Sequence, residues 1–375
     1  MLSTFVLNRG KTLLMASIAL ATLGNVAQAA EIKLPETTLT ASLRTSMVST
    51  SSDTGPDVMD FNLNSLSFYV NGKITDTVKF SFSSELDSSQ AVSLQDAIAQ
   101  FEFSPTMNIW MGRFLPPTDR ANSYGAYFSN NWNFAADGTQ DGYPFITFGR
   151  ADGVAYWGDF ADKKLKISAG LFDIPSTKAG TPDADKVMTA ARVQYNFWDA
   201  EAGYYINGTY LGDKDILAVG AAVNSVDGNS TSNIDFLVEK KVAGGGAFTV
   251  EGEYIKYDKL GGYGGFFAKG DPNATPAVPP LADASSGDSW YLMSSYLFPQ
   301  AVGVGKVQVL GKFGTSSLDA LAGGTALEVD TTELNLNYII KSFNAKVSLF
   351  YLDHSYSVTG YDDSSIGLGV QLMTL

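Results

Sequence analysis

The sequence predicts an all-β fold, a transmembrane antiparallel β-barrel of sixteen strands with a long third outer loop. Three observations point there. Segments of about 9–14 residues with alternating polarity recur along nearly the whole chain, as membrane-crossing strands do. After residue 30 no apolar run approaches the ~18 residues that a spanning helix needs, which leaves a closed barrel as the way to satisfy the backbone in lipid. Short turns also alternate with longer polar loops, the asymmetry of a barrel with tight inner turns and long outer loops. A soluble β-sandwich alternates too. Here, however, the polar faces carry Lys, Glu and Asn at mid-strand, and the apolar faces have no obvious partner sheet.

The first 29 residues stand apart. Arg9 and Lys11 precede the apolar run 12–24, and Ala27-Gln28-Ala29 forms a small-residue cleavage site. That pattern predicts a secretory signal peptide over 1–29 and a barrel over 30–375. The apolar run is short for a retained anchor.

Strands are expected near 37–48, 62–74, 77–87, 94–103, 107–115, 149–160, 163–173, 187–198, 214–225, 231–242, 246–258, 287–299, 304–315, 328–341, 343–355 and 363–375. Alternation is clear in 62–74, where Leu66, Phe68 and Val70 share one face and Ser65, Ser67, Tyr69, Asn71 and Lys73 the other. It is as clear in 77–87, with Val78, Phe80 and Phe82 opposite Lys79, Ser81, Ser83 and Glu85. In 363–373, Ile366, Leu368, Val370 and Leu372 oppose Ser365, Gly367, Gly369 and Gln371. A further segment, 199–211, would make the count odd, and bacterial single-chain barrels use even numbers. Its acidic start, internal glycines and poor alternation mark it instead as part of an extended inner turn, 198–213. Every long loop then falls on one side: 49–61, 116–148 as the third outer loop, and the Gly-, Pro- and Ala-rich 259–286 as an exposed loop. Sixteen strands enclose enough space for an aqueous lumen.

Composition narrows the function. Cysteine is absent, which excludes a thiolate or disulfide chemistry. The net charge is −14, and removing Arg9 and Lys11 takes it to −16, which argues against nucleic acid as a partner. Mean hydropathy is +0.01, and glycine, phenylalanine and tyrosine are plentiful, a mixture suited to strands, turns and aromatic girdles facing outer-membrane lipid. Catalysis finds little support: His354 is the single histidine. The glycine-rich stretches GRADG and GGYGG lack the following helix that a phosphate loop requires. Asp362-Asp363 and Asp213-Lys214-Asp215 lack calcium-loop spacing. No cofactor or metal is implied.

In order along the chain, FNLNSLSFYVNGKI (61–74), DAIAQFEF (96–103), NIWMGRFLPP (108–117), GRADGVAYWGDF (149–160), LKISAGLFD (165–173) and AARVQYNFW resemble successive strands of the phosphate-selective porins, the porin O and porin P type. The resemblance covers most of 37–198 and is architectural beyond it. It implies a sixteen-stranded barrel, a homotrimer, and passive diffusion of small hydrophilic solutes or inorganic ions. The chain departs from the family pattern in two ways. In place of an arginine ladder and lysine cluster, the mature chain has Arg44, Arg113, Arg120, Arg150 and Arg192 alone, and it ends in QLMTL rather than an aromatic residue.

Charge placement follows from strand parity. An arginine on a lipid face at mid-bilayer costs about 2–4 kcal/mol, so Arg113 is expected to face the lumen with Trp110 and Phe114 facing lipid. The same parity turns Arg44 and Arg192 inward. The expected lumen and constriction set is Arg44, Lys73, Lys79, Glu85, Asp96, Glu102, Arg113, Arg120, Arg150 and Arg192. Ion pairs between these arginines and Glu85, Asp96 or Glu102 are the bland reading of the same residues. An inward third loop would set Arg44, Arg113 or Arg120 against Asp137, Asp141 or Glu102, a field that biases ion passage, weakly toward anions. A non-conducting barrel serving as scaffold or receptor is the alternative.

Overall fold

The computed structural model describes residues 36–53, 55–87, 92–133, 150–173, 187–226, 228–258, 286–319, 327–357 and 362–374. Thr37–Leu375 form one compact unit. Sixteen strands follow in chain order: β1 (Glu36–Ser52), β2 (Gly55–Lys73), β3 (Val78–Asp87), β4 (Val92–Ser104), β5 (Met107–Phe114), β6 (Ala151–Phe160), β7 (Leu165–Asp173) and β8 (Val187–Asn196) make the first half. The second half is β9 (Ile216–Val226), β10 (Asn229–Val242), β11 (Gly246–Asp258), β12 (Gly287–Val302), β13 (Gly305–Leu318), β14 (Leu327–Lys341), β15 (Ala345–Tyr356) and β16 (Asp363–Met373). Each strand pairs with its neighbours in sequence, and β16 closes on β1 through eleven antiparallel partners from Ser42↔Met373 to Ser52↔Asp363. The sheet is a closed antiparallel barrel with no free edge.

Polarity runs inside out. Between β10 and β11 the cross-strand pairs Asp235↔Glu253 and Glu239↔Thr249 point inward and are buried. The alternate pairs Ile234↔Tyr254 and Phe236↔Gly252 point outward. Leu334, Leu336, Leu349, Leu368 and Leu372 continue this exposed apolar wall on β14–β16. Near the short-turn end the wall becomes aromatic. Tyr195 packs edge-on against Phe197, Tyr296 against Phe298, and Lys240 lies over Trp198 at 5.0 Å. A polar interior behind an apolar exterior is the reverse of a water-soluble domain and matches a lipid-facing barrel.

Two stretches differ from the sequence reading. The expected outer loop 49–61 is largely strand: β1 continues to Ser52 and β2 begins at Gly55. The Ser/Thr run 49–52 pairs with β16, and the Thr50 and Ser365 hydroxyls meet at 3.0 Å, so a tight turn suffices. The inner connection between β8 and β9 contains no strand, but it does not hang at the rim. Residues 197–215 turn into the barrel, where Ile206 and Thr209 are buried.

Candidate functional site

Two segments meet inside the lumen. One enters from the long-loop end: after Phe114, Pro116-Pro117 ends β5, because proline has no N–H for the ladder. Residues 115–133 then run along the inner wall with two 3-10 turns, Ala121–Ser123 and Ala126–Phe128. The other segment is 197–215, from the short-turn end. They touch through backbone bonds from Ile206 N to Ser123 O (3.3 Å) and Gly208 N to Phe128 O (3.1 Å).

Their junction is a buried ion pair. Arg120 donates to Glu201 through Nη1 at 2.9 Å and Nη2 at 2.7 Å, and Nη2 also donates to Asn207 O at 2.7 Å. Both side chains are fully buried. Burial works against both charges, and the pairing outweighs it. Glu201 keeps Arg120 protonated well above its ordinary range, and Arg120 holds the Glu201 carboxyl below its own. Tyr210 OH (2.9 Å) and Gln194 Nε2 (2.8 Å) fill the remaining acceptor sites of Glu201. The geometry is bidentate, as suits a buried pair, and Arg120 Nε faces a second buried carboxylate, Glu251, at 3.9 Å.

Inward carboxylates on the wall hold both segments. Asp235 on β10 accepts from Arg120 N at 3.1 Å and pairs with Arg192 of β8 through two bonds. Gly220 makes that pair possible, since a Cβ there would lie 2.3 Å from Arg192 Nη2. Glu251 accepts from the Tyr124 and Tyr291 hydroxyls at 2.6 and 2.5 Å, and Glu253 from Ala121 N at 3.2 Å. Glu239 accepts from Thr209 Oγ1 (2.7 Å), Tyr210 N (3.0 Å) and Gly212 N (2.8 Å). Glu333 on β14 takes Asn131 Nδ2 (2.9 Å) and Trp132 N (3.1 Å). Trp132 then stacks on Phe350 at 5.8 Å, over the bare backbone of Gly369. Arg44 lies over the Trp132 ring at 4.2 Å and donates to its carbonyl.

The expected lumen residues divide three ways. Arg44 and Arg192 are inward but sealed under the segments, and Arg120, on one of the segments, is buried in the junction. Lys73, Lys79, Glu85, Asp96, Glu102 and Arg150 lie toward the β2–β6 side. There Lys79 pairs with Glu102 at 2.5 Å, Arg150 Nε donates to Asp96 at 3.2 Å, and Lys73 pairs with Asp76 at 2.8 Å. Glu85 is level with Ser67 on the inward face.

Arg113 is a correction. Register puts it outward, level with Ala97 and Asp152, while Trp110 and Phe114 point inward. The parity was right and the face was wrong. Trp110 and Phe114 join Trp157, Phe172, Tyr204 and Tyr205 in a buried cluster that fills one side of the lumen. The Trp110 ring lies 4.7 Å from that of Tyr204, and its Nε1 donates to Glu102 at 3.2 Å. Arg113 avoids the mid-bilayer penalty by sitting at the long-loop end of β5, bonded to Asp152 at 3.1 Å. Gly112, at φ 129°, lets β4 approach so closely that a Cβ would meet Ala97 O at 2.0 Å.

Asp137 and Asp141 lie outside the described residues. His354 Nδ1 pairs with Asp363 Oδ1 at 2.9 Å. Among the described residues no group of three His, Asp or Glu side chains is placed to hold a metal.

No family model matches the chain, and no curated protein does. Solved structures share its fold. The outer membrane channel DcaP of Acinetobacter baumannii superposes with a TM-score of 0.58 at 11% identity, over 90% of this chain and 97% of that one. OmpF of Salmonella typhi, in complex with daunomycin, gives 0.57 at 12% identity over 90% and 97%. The trimer form of OmpT, an outer membrane protein of Vibrio cholerae, gives 0.51 at 14% over 90% and 99%.

Proposed function

We propose that the protein is an outer-membrane porin, exported through a signal peptide over 1–29, that passes small hydrophilic solutes or ions by passive diffusion. The observation that carries this is the inverted polarity of a closed barrel, apolar outside and hydrogen-bonding inside, around an interior only partly filled. The channel named in one structural neighbour supports the reading, and the trimer form of another supports assembly as a homotrimer. No catalytic role is assigned.

The passage runs beside β1–β5. The anion bias expected above needed Arg44, Arg113 and Arg120 at the constriction. Arg113 faces outward, Arg120 is neutralised by Glu201, and Arg44 is covered by Trp132. Of the charges left on this side, Lys79 pairs with Glu102, Arg150 with Asp96 and Lys73 with Asp76. The passage is therefore close to neutral and weakly selective. Planar-bilayer recording of refolded protein tests both points: a stable conductance with a small reversal potential in a salt gradient is expected. A folded barrel without conductance would favour the alternative, a scaffold or receptor, for which the filled half of the lumen speaks.

A further inference from the structure

A chamber of about 440 Å³ lies between the β1–β5 wall and the inward segments at 123–128 and 205–207, on the proposed passage. Its lining includes one acid and one base, Asp96 and Arg150, and they are bonded to each other, with Ser83 Oγ donating to Asp96 at 2.6 Å. The rest is aromatic, amide or hydroxyl, apart from a few aliphatic side chains. Tyr69, Trp110, Tyr127, Phe128 and Tyr205 supply ring surface. Asn71 and Gln100 on the wall and Asn207 on the inner segment supply amides that both donate and accept.

We infer that this chamber binds neutral carbohydrates of small size. The argument is one of matching. An inorganic ion entering here sheds water and meets no unpaired charge to replace it, which is unfavourable. A sugar presents the complement of the lining: apolar C–H faces that pack on aromatic rings, and hydroxyls that exchange hydrogen bonds with the amides. The paired charges hold each other in place, and a neutral solute does not have to disrupt them. The solute class rests on the channel reading above, because the chamber is part of the proposed passage.

Two measurements separate the two ideas. Isothermal titration of the refolded full chain in detergent with sucrose, inorganic phosphate and L-arginine reads binding without any conductance. Saturable binding of sucrose alone is expected. Gln100→Ala and Asn71→Ala should each weaken it about fivefold, the loss of one hydrogen bond. Asn71 accepts a 2.7 Å bond from Ser81 at an exposed position, so its variant leaves packing intact if Gln100→Ala fails to fold. In bilayers, sucrose should reduce the current in a saturable way, beyond the linear effect of viscosity. Saturable phosphate or arginine binding, or no saturable sucrose binding, overturns the proposal. Sucrose binding without conductance would instead overturn the channel reading and leave the chamber as a carbohydrate site.

Discussion

The two sides of the lumen use the same kinds of residue to opposite ends. Along β8–β15, inward Asp235, Glu239, Glu251, Glu253 and Glu333 are buried, and each takes at least one hydrogen bond from an inward segment. Along β2–β6, the charges Asp96, Glu102, Lys79 and Arg150 remain partly exposed and pair along the wall. A carboxylate on the first side is an anchor, and on the second it is part of a surface that water can reach. Inward polarity alone therefore does not identify a pore residue. What decides is whether another part of the chain has taken up its hydrogen bonds.

The sharpest way to break this contrast is at the junction of the two segments. Glu201→Gln should destabilise by about 3–5 kcal/mol, because it takes the bidentate partner from a buried Arg120 and leaves it facing Glu251 at 3.9 Å. Single-channel conductance should rise and become noisy as the anchored side loosens. The double variant Arg120→Met with Glu201→Leu should recover part of the stability, since an apolar pair avoids the desolvation cost while Tyr210 OH, Gln194 and Asn207 O each lose one partner. Thermal unfolding and bilayer recording together check this; a single variant as stable as wild type would show that the pair does not hold the segments.

Acid tests the same junction. Arg120 holds the Glu201 carboxyl below its usual range despite burial. Its contribution to stability is thus complete above the unfolded carboxylate value and is lost as pH falls through the depressed folded value. Conductance should stay level from neutral pH to the ordinary carboxylate range and rise only below it. A rise near neutrality would assign the opening to another group.

Trp132→Ala is next in size, about 3–5 kcal/mol for an aromatic ring removed from a packed seat. It uncovers Arg44 at the same time, so reversal potentials should move toward anions. That shift distinguishes uncovering a charge from a general loosening of the segment, which would raise conductance without a change of sign.

Much of this architecture was legible in the sequence. Alternation located the sixteen strands, and the even-number rule removed 199–211 from the count. The destination of that segment was not legible, because Glu201 and Tyr204 are partnered by Arg120 and Leu115, far along the chain, a relation no local pattern records. A signal for the docking existed: Gly220, Gly367 and Gly369 on inward faces leave room for something to lie against the wall. Arg113 was misplaced for a related reason. Parity fixes which residues share a face, but the choice of face assumed that aromatic side chains seek lipid. Inside this barrel the inner segment brings Tyr204 and Tyr205, and the aromatic side of β5 turned to them.

Arg113→Ala is the smallest effect and the cleanest discriminator of that placement. The Arg113–Asp152 pair is partly exposed at the end of the strand, so its loss should cost no more than about 1 kcal/mol. Were Arg113 in the passage, its removal would shift the reversal potential toward cations. On the outer wall it should leave both conductance and ion preference unchanged. Arg150→Ala, which strips Asp96 of its partner beside the chamber, should move the reversal potential toward cations in the same assay. The two variants remove the same charge from opposite faces of one wall. A response to Arg150→Ala with none to Arg113→Ala is what the register requires.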